Sequence, residues 1–498
     1  MKSYLSILIM CLIPFILNAQ NLEEARLFGQ ADVNGTARSM AIANAFTALG
    51  ANPYALHSNP AGLGYYRRSE VQISLINHNN QIDNTFIGNR NSSSISRFQL
   101  GNLSYIQAQQ LDNNNWKGLN WGVSYQKTNS YISDYSFKGV NQSNSIVDYF
   151  VEAANGIPYE FLNLDDIAPE DVPVLFGWEG WLIDTASSDI PNQYVGIIDG
   201  AGNTQSFKGQ LRGSKNELAF GLGANYNDQW YIGGSLNVPF LRYNSTTIFD
   251  ETDDDNLYNN FTSANFYSDV DIEGVGFGLN LGVSYKPNKW VRVGVNIQSP
   301  EWYSLTTTAY DSITTDLNNG TGFNQYTYGI NYAPNTYNYR TPAQIDLGAA
   351  FFIKQRGFVS VDYSLRPYNR IRYNSSNDFL DDTAENELYN IVNAEITTNL
   401  KASHNIKIGA EIFLIKHLSL RAGYGLESSP YVNENAFSAR QSISGGLGLS
   451  FKRVNFDLAY VHSSNNLVFQ PYALGAESST SKWAVTNGKV AASLGVKF

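Results

Sequence analysis

Residues 275–297 read VGFGLNLGVSY-KPNK-WVRVGVNI, and each odd position from 275 to 285 and from 291 to 297 holds an apolar or aromatic residue. Small or polar residues fill most of the positions between them. A repeat of two is the side-chain period of a β-strand, so each strand has one apolar face and one small or polar face. Residues 286–289 contain Pro287 and Asn288, which favour a tight turn. The stretch therefore predicts a β-hairpin with two different faces.

The same alternation recurs from residue 69 to the C-terminus, for example at 406–414 and 454–460. It predicts about fourteen strands, many of them longer than the roughly five to six residues usual in soluble sheets. Strands that cross a bilayer at a tilt need about nine to eleven residues. The predicted connections alternate between short turns and long loops, the longest being an extracellular loop at 132–206, which is typical of outer-membrane barrels.

The fold class predicted is therefore an all-β, transmembrane, antiparallel β-barrel of about fourteen strands over residues 65–498. A soluble sandwich would not need this alternation of loop lengths. A propeller would show a blade repeat of about forty residues, and the sequence contains none.

The composition excludes several classes of function. The chain has 498 residues and a net charge of −11, without the clustered Lys and Arg that nucleic-acid binding requires. Its five His are scattered, and its single Cys, Cys11, lies near the N-terminus. Metal sites and thiol chemistry are therefore not expected. The sequence carries no catalytic or nucleotide-binding motif, so we expect neither an enzyme nor a cofactor.

Residues 1–19 have the pattern of a secretory signal peptide. Lys2 supplies a basic start, an apolar run extends from Tyr4 to Leu17, and Ala19 is a small residue suited to cleavage. Residues 20–64 lack a strand pattern, yet they are too apolar and Ala-rich for an exposed tail. The lumen of a fourteen-stranded barrel is too wide for wall side chains to fill. We expect residues 20–64 to form short helices that plug the lumen as a hatch.

Segment 172–183 of the long loop is more apolar than an exposed loop should be. Such residues must bury against the loop's own core, other loops or a hydrophobic ligand. Phe176, Trp178, Trp181 and Leu182 are the candidates for a hydrophobic entrance. An acidic run at 250–255 is expected to be a solvated loop, with divalent-cation bridging to lipopolysaccharide as the alternative.

The chain ends in Phe498, and Val490, Ala492, Leu494 and Val496 share its face of the last predicted strand. A last strand that ends in an aromatic residue resembles the signal read by the barrel-assembly machinery of Gram-negative bacteria. We therefore expect Phe498 to serve as the assembly signal.

Two N-terminal segments, Asn44-Ala45-Phe46-Thr47-Ala48-Leu49-Gly50 and Asn59-Pro60-Ala61-Gly62-Leu63, resemble the hatch of the FadL-type family of outer-membrane transporters for hydrophobic compounds. Further similarity lies at 278–288, 299–303, 341–342 and 358–363. In that family the hatch plugs a barrel of fourteen strands. The resemblance implies that Asn59, Pro60, Ala61 and Gly62 form the hatch motif of this chain.

The resemblance also implies a function and a location. The expected function is passive uptake of a hydrophobic small molecule, such as a long-chain fatty acid or an aromatic hydrocarbon, across a Gram-negative outer membrane. Lipopolysaccharide and the barrel-assembly machinery are the other expected partners. The family's pocket residues lie in segments that do not match, so none is assigned. An alternative is a barrel that docks proteins or belongs to a secretion system, and a barrel enzyme is disfavoured by the missing motif.

Overall fold

The computed structural model describes residues 22–112, 115–187, 189–198, 202–318, 322–354, 356–376, 383–472, 474 and 479–498. The predicted signal peptide at 1–19 and its cleavage site lie outside the described residues, as do residues 20 and 21 of the predicted hatch. The strands are β1 (Glu70–Phe86), β2 (Asn89–Gln107), β3 (Trp116–Ser130), β4 (Ser133–Asn141), β5 (Ile183–Ser187), β6 (Ile190–Gly196), β7 (Asn203–Tyr226), β8 (Trp230–Thr252), β9 (Phe261–Tyr285), β10 (Val291–Gln298), β11 (Trp302–Asn318), β12 (Phe323–Asn331), β13 (Asn335–Arg340), β14 (Gln344–Ile353), β15 (Gly357–Pro367), β16 (Arg372–Ser375), β17 (Ala402–Ile415), β18 (Leu418–Glu427), β19 (Arg440–Ser450), β20 (Val454–Phe469) and β21 (Ser481–Lys497).

The helices are short and lie mainly in the N-terminal segment and the long connections. The α-helices are α1 (Leu22–Gly29), α2 (Ala37–Met40), α3 (Ile146–Ala154), α4 (Val174–Glu179) and α5 (Thr383–Asn399). The 3₁₀ helices are Pro53–Leu56, Pro60–Tyr65, Tyr159–Phe161, Pro169–Asp171 and Tyr368–Arg370. Within the described part of the chain, no helix has both the length and the apolar character needed to cross a membrane.

The strands close into an antiparallel barrel with fourteen strand positions, which confirms the predicted fold class. Closure comes from β21, which pairs with β1 along its whole length, from Glu70–Lys497 to Phe86–Ser481. Four positions are each shared by consecutive strands, namely β3 with β4, β10 with β11, β12 with β13 and β14, and β15 with β16. Among the described residues, β5 and β6 form a separate two-stranded sheet.

The two faces of the wall differ as the alternating sequence predicts. On β9, Leu279 and Leu281 point outward and are 49% and 67% exposed, whereas Asn280 and Ser284 are buried toward the lumen. On the same face of β9, the outward apolar residues continue back along the strand to Val275, and the next outward residue, Glu273, is exposed and charged. Such a band of outward apolar residues, with polar residues inside, is the pattern of a barrel wall that faces lipid.

The wall is broken between β2 and β3. Their ladder joins only Asn102–Gln107 of β2 to Trp121–Gln126 of β3. Beyond it, residues 89–101 of β2 pair with β1 alone, and β4 pairs with β7 instead. Above this ladder, no backbone ladder joins β2 to the β3–β4 position among the described residues, and side-chain hydrogen bonds such as Gln99 Nε2 to Ser130 Oγ at 3.3 Å and Asn89 Nδ2 to the Lys138 carbonyl at 3.2 Å span the break.

The strand that leaves the gap, β4, turns into the lumen and covers the inner face of β1. Ser133 Oγ donates to Asn80 Oδ1 at 3.2 Å, and Asn84 Nδ2 donates to the Ser136 carbonyl at 2.8 Å. Phe137 lies against Phe86, with ring centroids 4.5 Å apart. Residues 132–206 were predicted as one long loop. The structure places the first part of this stretch in β4 and its last residues, from Asn203, in β7.

Candidate functional site

The predicted hatch motif begins a buried 3₁₀ helix inside the lumen. Asn59 caps this helix, because its Oδ1 accepts from the Ala61 N–H at 3.1 Å and its carbonyl accepts from the Gly62 N–H at 2.9 Å. Pro60 occupies the first helical position. Proline lacks a backbone N–H, and at this position that N–H would have no hydrogen-bond partner within the helix. Asn59 Nδ2 donates to the Thr47 carbonyl at 2.7 Å. The motif therefore ties two turns of the N-terminal segment together.

The wall carries glycine where this segment comes closest. At Gly233 a Cβ would lie 2.3 Å from the Pro60 carbonyl carbon, and at Gly282 it would lie 1.9 Å from Asn59 Oδ1. Other glycines of the wall that contact the N-terminal segment this closely are Gly221, Gly223, Gly294, Gly348, Gly409, Gly423 and Gly446. The segment is thus seated directly against the backbone of the wall.

Polar groups of the wall also hold the N-terminal segment. Arg38 Nε lies 3.2 Å from Glu411 Oε2, and Glu411 also pairs with Arg421 of the neighbouring strand. The Thr47 N–H donates to Asp362 Oδ2 at 2.7 Å. These charges lie on the polar, inward face of the wall and are matched there rather than exposed to lipid.

Asp32 follows α1 and is held by two cations of the wall. Its Oδ1 lies 2.6 Å from Arg440 Nη1, and its Oδ2 lies 3.0 Å from Lys489 Nζ. Burial alone raises the pKa of Asp32, but Lys489 and Arg440 outweigh burial and hold the pKa well below its ordinary value. Asp32 is therefore an ionised anchor of this segment.

The helix α1 forms a second obstruction in the lumen, packed among tyrosines. Phe28 is fully buried, with ring centroids 5.3 Å from Tyr243 and 6.0 Å from Tyr339. Tyr339 also donates its hydroxyl to the Ala25 carbonyl at 2.8 Å. The buried tyrosines of this cluster are Tyr131, Tyr243, Tyr303, Tyr337, Tyr339, Tyr368, Tyr373 and Tyr389.

A chamber of about 150 Å³ lies between residues 29–34, which follow α1, and the turns that contain Asn44, Thr47 and His57. Residues of β3, β7–β10, β14, β15 and β17–β19, together with residues 299, 301, 341 and 342 between strands, complete its lining. Most of them carry amide, hydroxyl or charged groups. The chamber is therefore polar, and it is enclosed by the N-terminal segment on one side and by the barrel wall on the other.

Ser124, His57 and Glu217 meet beside this chamber, a contact that sequence spacing does not reveal. His57 Nδ1 lies 2.6 Å from Glu217 Oε1, and His57 Nε2 lies 3.2 Å from Ser124 Oγ. Serine hydrolases place a serine hydroxyl, a histidine and a carboxylate in contact in the same order. Ser124, however, is 0% exposed and already accepts from Asn102 Nδ2 at 2.8 Å. A nucleophile must reach its substrate, so we assign these contacts to holding His57 against the wall.

The predicted hydrophobic entrance divides into a buried and an exposed part. Phe176 and Leu182 are 1% and 0% exposed and belong to the apolar core of a cap built from α3, α4 and the outer ends of the strands. Trp178 is partly buried against the same core. Trp181 is 62% exposed and lies near Tyr326, with ring centroids 5.8 Å apart. Only Trp181 of the four thus presents a largely exposed ring.

Glu251 belongs to the acidic run that was predicted to be solvated, yet it is 0% exposed. It accepts from the Ile146 N–H at 3.0 Å, from Asn203 Nδ2 at 2.9 Å and from Gln205 Nε2 at 3.0 Å. Burial raises the pKa of Glu251, and these hydrogen bonds offset part of the rise. The acidic run is therefore partly structural, because Glu251 joins the cap to the barrel.

The predicted assembly signal, Phe498, lies at the seam where the barrel closes. Its ring is 62% exposed, and its backbone N–H donates to the Ser69 carbonyl at 3.1 Å.

In the described part of the chain, no group of three or more His, Cys, Asp and Glu is arranged to hold a metal ion.

Solved structures with the same architecture include a FadL homologue from Pseudomonas aeruginosa, with 10% sequence identity, a TM-score of 0.57, and 94% of this chain and 99% of that chain covered. The toluene transporter TodX from Pseudomonas putida has 16% identity and a TM-score of 0.51, with 94% and 99% covered. The toluene transporter TbuX from Ralstonia pickettii has 14% identity, a TM-score of 0.51 and the same coverage.

The chain has the FadL-type fold. The resemblance first seen in the hatch residues is thereby confirmed for the fold. No protein-family model matches the chain, and no curated protein matches its sequence. At these identities the likeness concerns architecture alone.

Proposed function

We propose that the chain is an outer-membrane channel for passive uptake of hydrophobic small molecules, with long-chain fatty acids or aromatic hydrocarbons as the substrate classes. The observation that carries the proposal is the break in the wall between β2 and β3 beside a plugged lumen. With the hatch and β4 lying in the lumen, a break in the wall at the edge of the lipid-facing band suits molecules that partition into lipid better than it suits sieving along the axis.

The geometry around the break supports this reading. Phe98 of β2 lies beside it and is 71% exposed, and Leu103, below it, is 47% exposed. Inside the barrel, β4 and the hatch occupy part of the lumen, as their contacts with the inner face of the wall show. The solved structures of similar fold include transporters whose names state toluene as the solute. We also propose that the cell outer membrane of a Gram-negative bacterium, its lipopolysaccharide and the barrel-assembly machinery are the surroundings of this protein.

Closing the break tests the proposal. The single natural cysteine, Cys11, lies in the predicted signal peptide, so introduced cysteines are free of competing thiols. Gln99→Cys with Ser130→Cys spans the break, since Gln99 Nε2 lies 3.3 Å from Ser130 Oγ. Joining them with a short bismaleimide should lower uptake of radiolabelled oleate and toluene several-fold in Gram-negative cells that lack their own transporter.

The control places cysteines at Leu103 and Tyr125, which already face each other in the β2–β3 ladder. Cross-linking this pair closes nothing and should leave uptake unchanged. Uptake that survives closure of the Gln99–Ser130 break would refute a route through the wall.

One observation favours the alternative of a protein-docking or secretion component. Among the described residues, 89–101 of β2 have a backbone ladder on one side only, and a strand edge without a ladder is a template for an added strand. A defined protein complex that survives purification and is lost when Ser94→Pro interrupts this edge would favour docking over uptake.

A further inference from the structure

We propose that the rim of short turns binds the head groups of anionic phospholipids, with its densest site at the seam where β21 meets β1. The short-turn rim consists of residues 67–68, 109–117, 227–229, 286–290, 354–356, 416–417, 451–453 and 497–498. The inference rests on the proposed outer-membrane location and is independent of the uptake route. It names the class of lipid that surrounds this end of the barrel.

Positive charge is concentrated at the short-turn rim. Its residues include eleven Lys and Arg but two Asp, although the whole chain has a net charge of −11. The cations are Arg67, Arg68, Lys117, Lys286, Lys289, Lys354, Arg356, Lys416, Lys452, Arg453 and Lys497. Eight of them are exposed, and Asp228 pairs with Arg67. The rim therefore presents a net positive charge to its surroundings.

The opposite end of the molecule has the opposite sign. Residues 139–207, which include α3 and α4 of the cap, contain eleven Asp and Glu and no Lys, Arg or His. A surface that carries phosphate groups is therefore repelled at the cap and attracted at the short-turn rim. The charge distribution thus favours an anionic partner at the rim alone.

Aromatic residues place the short-turn rim at the depth of lipid head groups. Trp116 and Trp230 begin strands and Trp290 directly precedes one, and their side chains are 41%, 44% and 39% exposed. Exposed tryptophans at strand ends mark the boundary between hydrocarbon and head groups. Lys289 Nζ lies 5.2 Å from the centroid of the Trp290 ring. Long cationic side chains at this depth can reach the phosphates of one leaflet.

The arrangement of the cations around the barrel favours a lipid leaflet over a compact protein. Lys or Arg occurs in five of the six short turns and also beside both ends of the barrel sequence. Because the barrel is closed, these positions are spread around its circumference. A leaflet surrounds the barrel and meets all of them, whereas a compact partner meets those on one side. With the long loops outside the cell, this rim faces the phospholipid leaflet of the outer membrane.

The positive charge is densest at the seam of the barrel. Arg68 Nη1 donates to the Lys452 carbonyl at 3.2 Å, and the Lys497 N–H donates to the Arg453 carbonyl at 2.7 Å. These hydrogen bonds bring four cationic residues together. Glu70 lies nearby in β1 but is 4% exposed, so the surface itself is cationic. Like charges repel one another, and a phosphate placed among them relieves the repulsion and accepts charge-assisted hydrogen bonds.

Electron paramagnetic resonance of spin-labelled lipids tests the inference. The full mature chain is reconstituted in phosphatidylcholine bilayers, and its association with spin-labelled phosphatidylglycerol is compared with that of spin-labelled phosphatidylcholine. We expect an about threefold preference for phosphatidylglycerol at low salt. The preference should vanish in about 1 M salt, where the Debye length is about 3 Å. Equal association of the two lipids at low salt would overturn the inference and leave the rim to an acidic protein partner.

Variants assign the preference to the seam. Arg68→Gln, Lys452→Gln and Arg453→Gln together should lower the excess of phosphatidylglycerol by about half. Exchanging the two neighbours, as Lys452→Arg with Arg453→Lys, keeps the charge and should keep the preference. Slower migration on a gel after boiling verifies that both variants are folded. A neutralised seam that retains the full preference would contradict the proposed site.

An equal change of charge at the other end of the barrel is the matched control. Arg90, Arg97 and Lys208 are exposed there, and replacing all three by Gln should leave the preference unchanged. A loss as large as that of the seam variant would mean that total charge, rather than the rim, attracts the lipid, and would overturn the inference.

Lipid association is measured without transport, so the two proposals fail separately. A preference for phosphatidylglycerol with no effect of closing the wall would sink the uptake route alone. Wall-dependent uptake by a protein that does not distinguish the two lipids would sink this inference alone.

Discussion

At the scale of single residues, Glu251 gathers donors from three separate segments at the base of the cap. Replacing it by Leu leaves these donors buried and unpaired, at about 1–3 kcal/mol for each. Glu251→Leu should therefore loosen the cap while the barrel remains closed. Limited proteolysis of the membrane-embedded protein should show faster cleavage within residues 142–200.

Asp255, an exposed residue of the same acidic run, provides the comparison for the Glu251 variant. Asp255→Leu changes the same charge in the same acidic run without removing a buried acceptor. It should leave the cleavage rate unchanged. Equal rates for the Glu251 and Asp255 variants would mean that the hydrogen bonds of Glu251 do not hold the cap.

Phe498 is the second residue whose removal has a definite expected outcome. We propose that Phe498 acts at the assembly step, so deleting it should reduce insertion of the barrel into the outer membrane and leave export across the inner membrane intact. Quantitative blotting of outer-membrane and periplasmic fractions measures both. Phe451→Ala removes another exposed aromatic ring from a turn on the same rim and should insert normally. Normal levels of the Phe498 deletion would refute its role as a signal.

At the scale of elements, the fit between the hatch and the wall depends on glycine. A Val side chain at position 233 would overlap the backbone of Pro60, so Gly233→Val should displace the hatch. We expect raised and less selective single-channel conductance in planar bilayers. Gly234→Val is the matched control, since position 234 has its nearest atom 3.4 Å away on the lipid-facing Leu281. A Gly233→Val channel that stays closed would mean that the hatch tolerates displacement without opening the lumen.

Elements also differ in how well they could be predicted. The hairpin of β9 and β10 was predicted from alternation alone, because its inward and outward faces meet different surroundings. The inward turn of β4 was not predicted. Tyr135 and Phe137 alternate as in any strand, but their burial depends on Trp483 and Phe207, which lie far away in sequence.

At the scale of the whole molecule, β21 closes onto β1, and we expect this closure to make the barrel resistant to detergent. The purified protein should migrate faster on a gel when unheated than after boiling, and its far-UV spectrum should be dominated by strand. The boiled sample of the same preparation is the internal comparison. Identical migration before and after boiling, or extraction from membranes by carbonate, would contradict a closed transmembrane barrel.

The sequence by itself determined the features that repeat along the chain or lie within a few residues. Alternation determined the strands and their two faces, and the short hatch segments identified the N-terminal plug. Only the tertiary structure decided where the wall breaks, which glycines meet the hatch, how Glu251 joins the cap and how the polar chamber is assembled. The physical reason is distance along the chain. The contact of Asn59 with Gly282, or of His57 with Glu217, depends on the register of strands that are far apart in sequence. Local period fixes which way a side chain points, whereas closure of the barrel fixes what it meets.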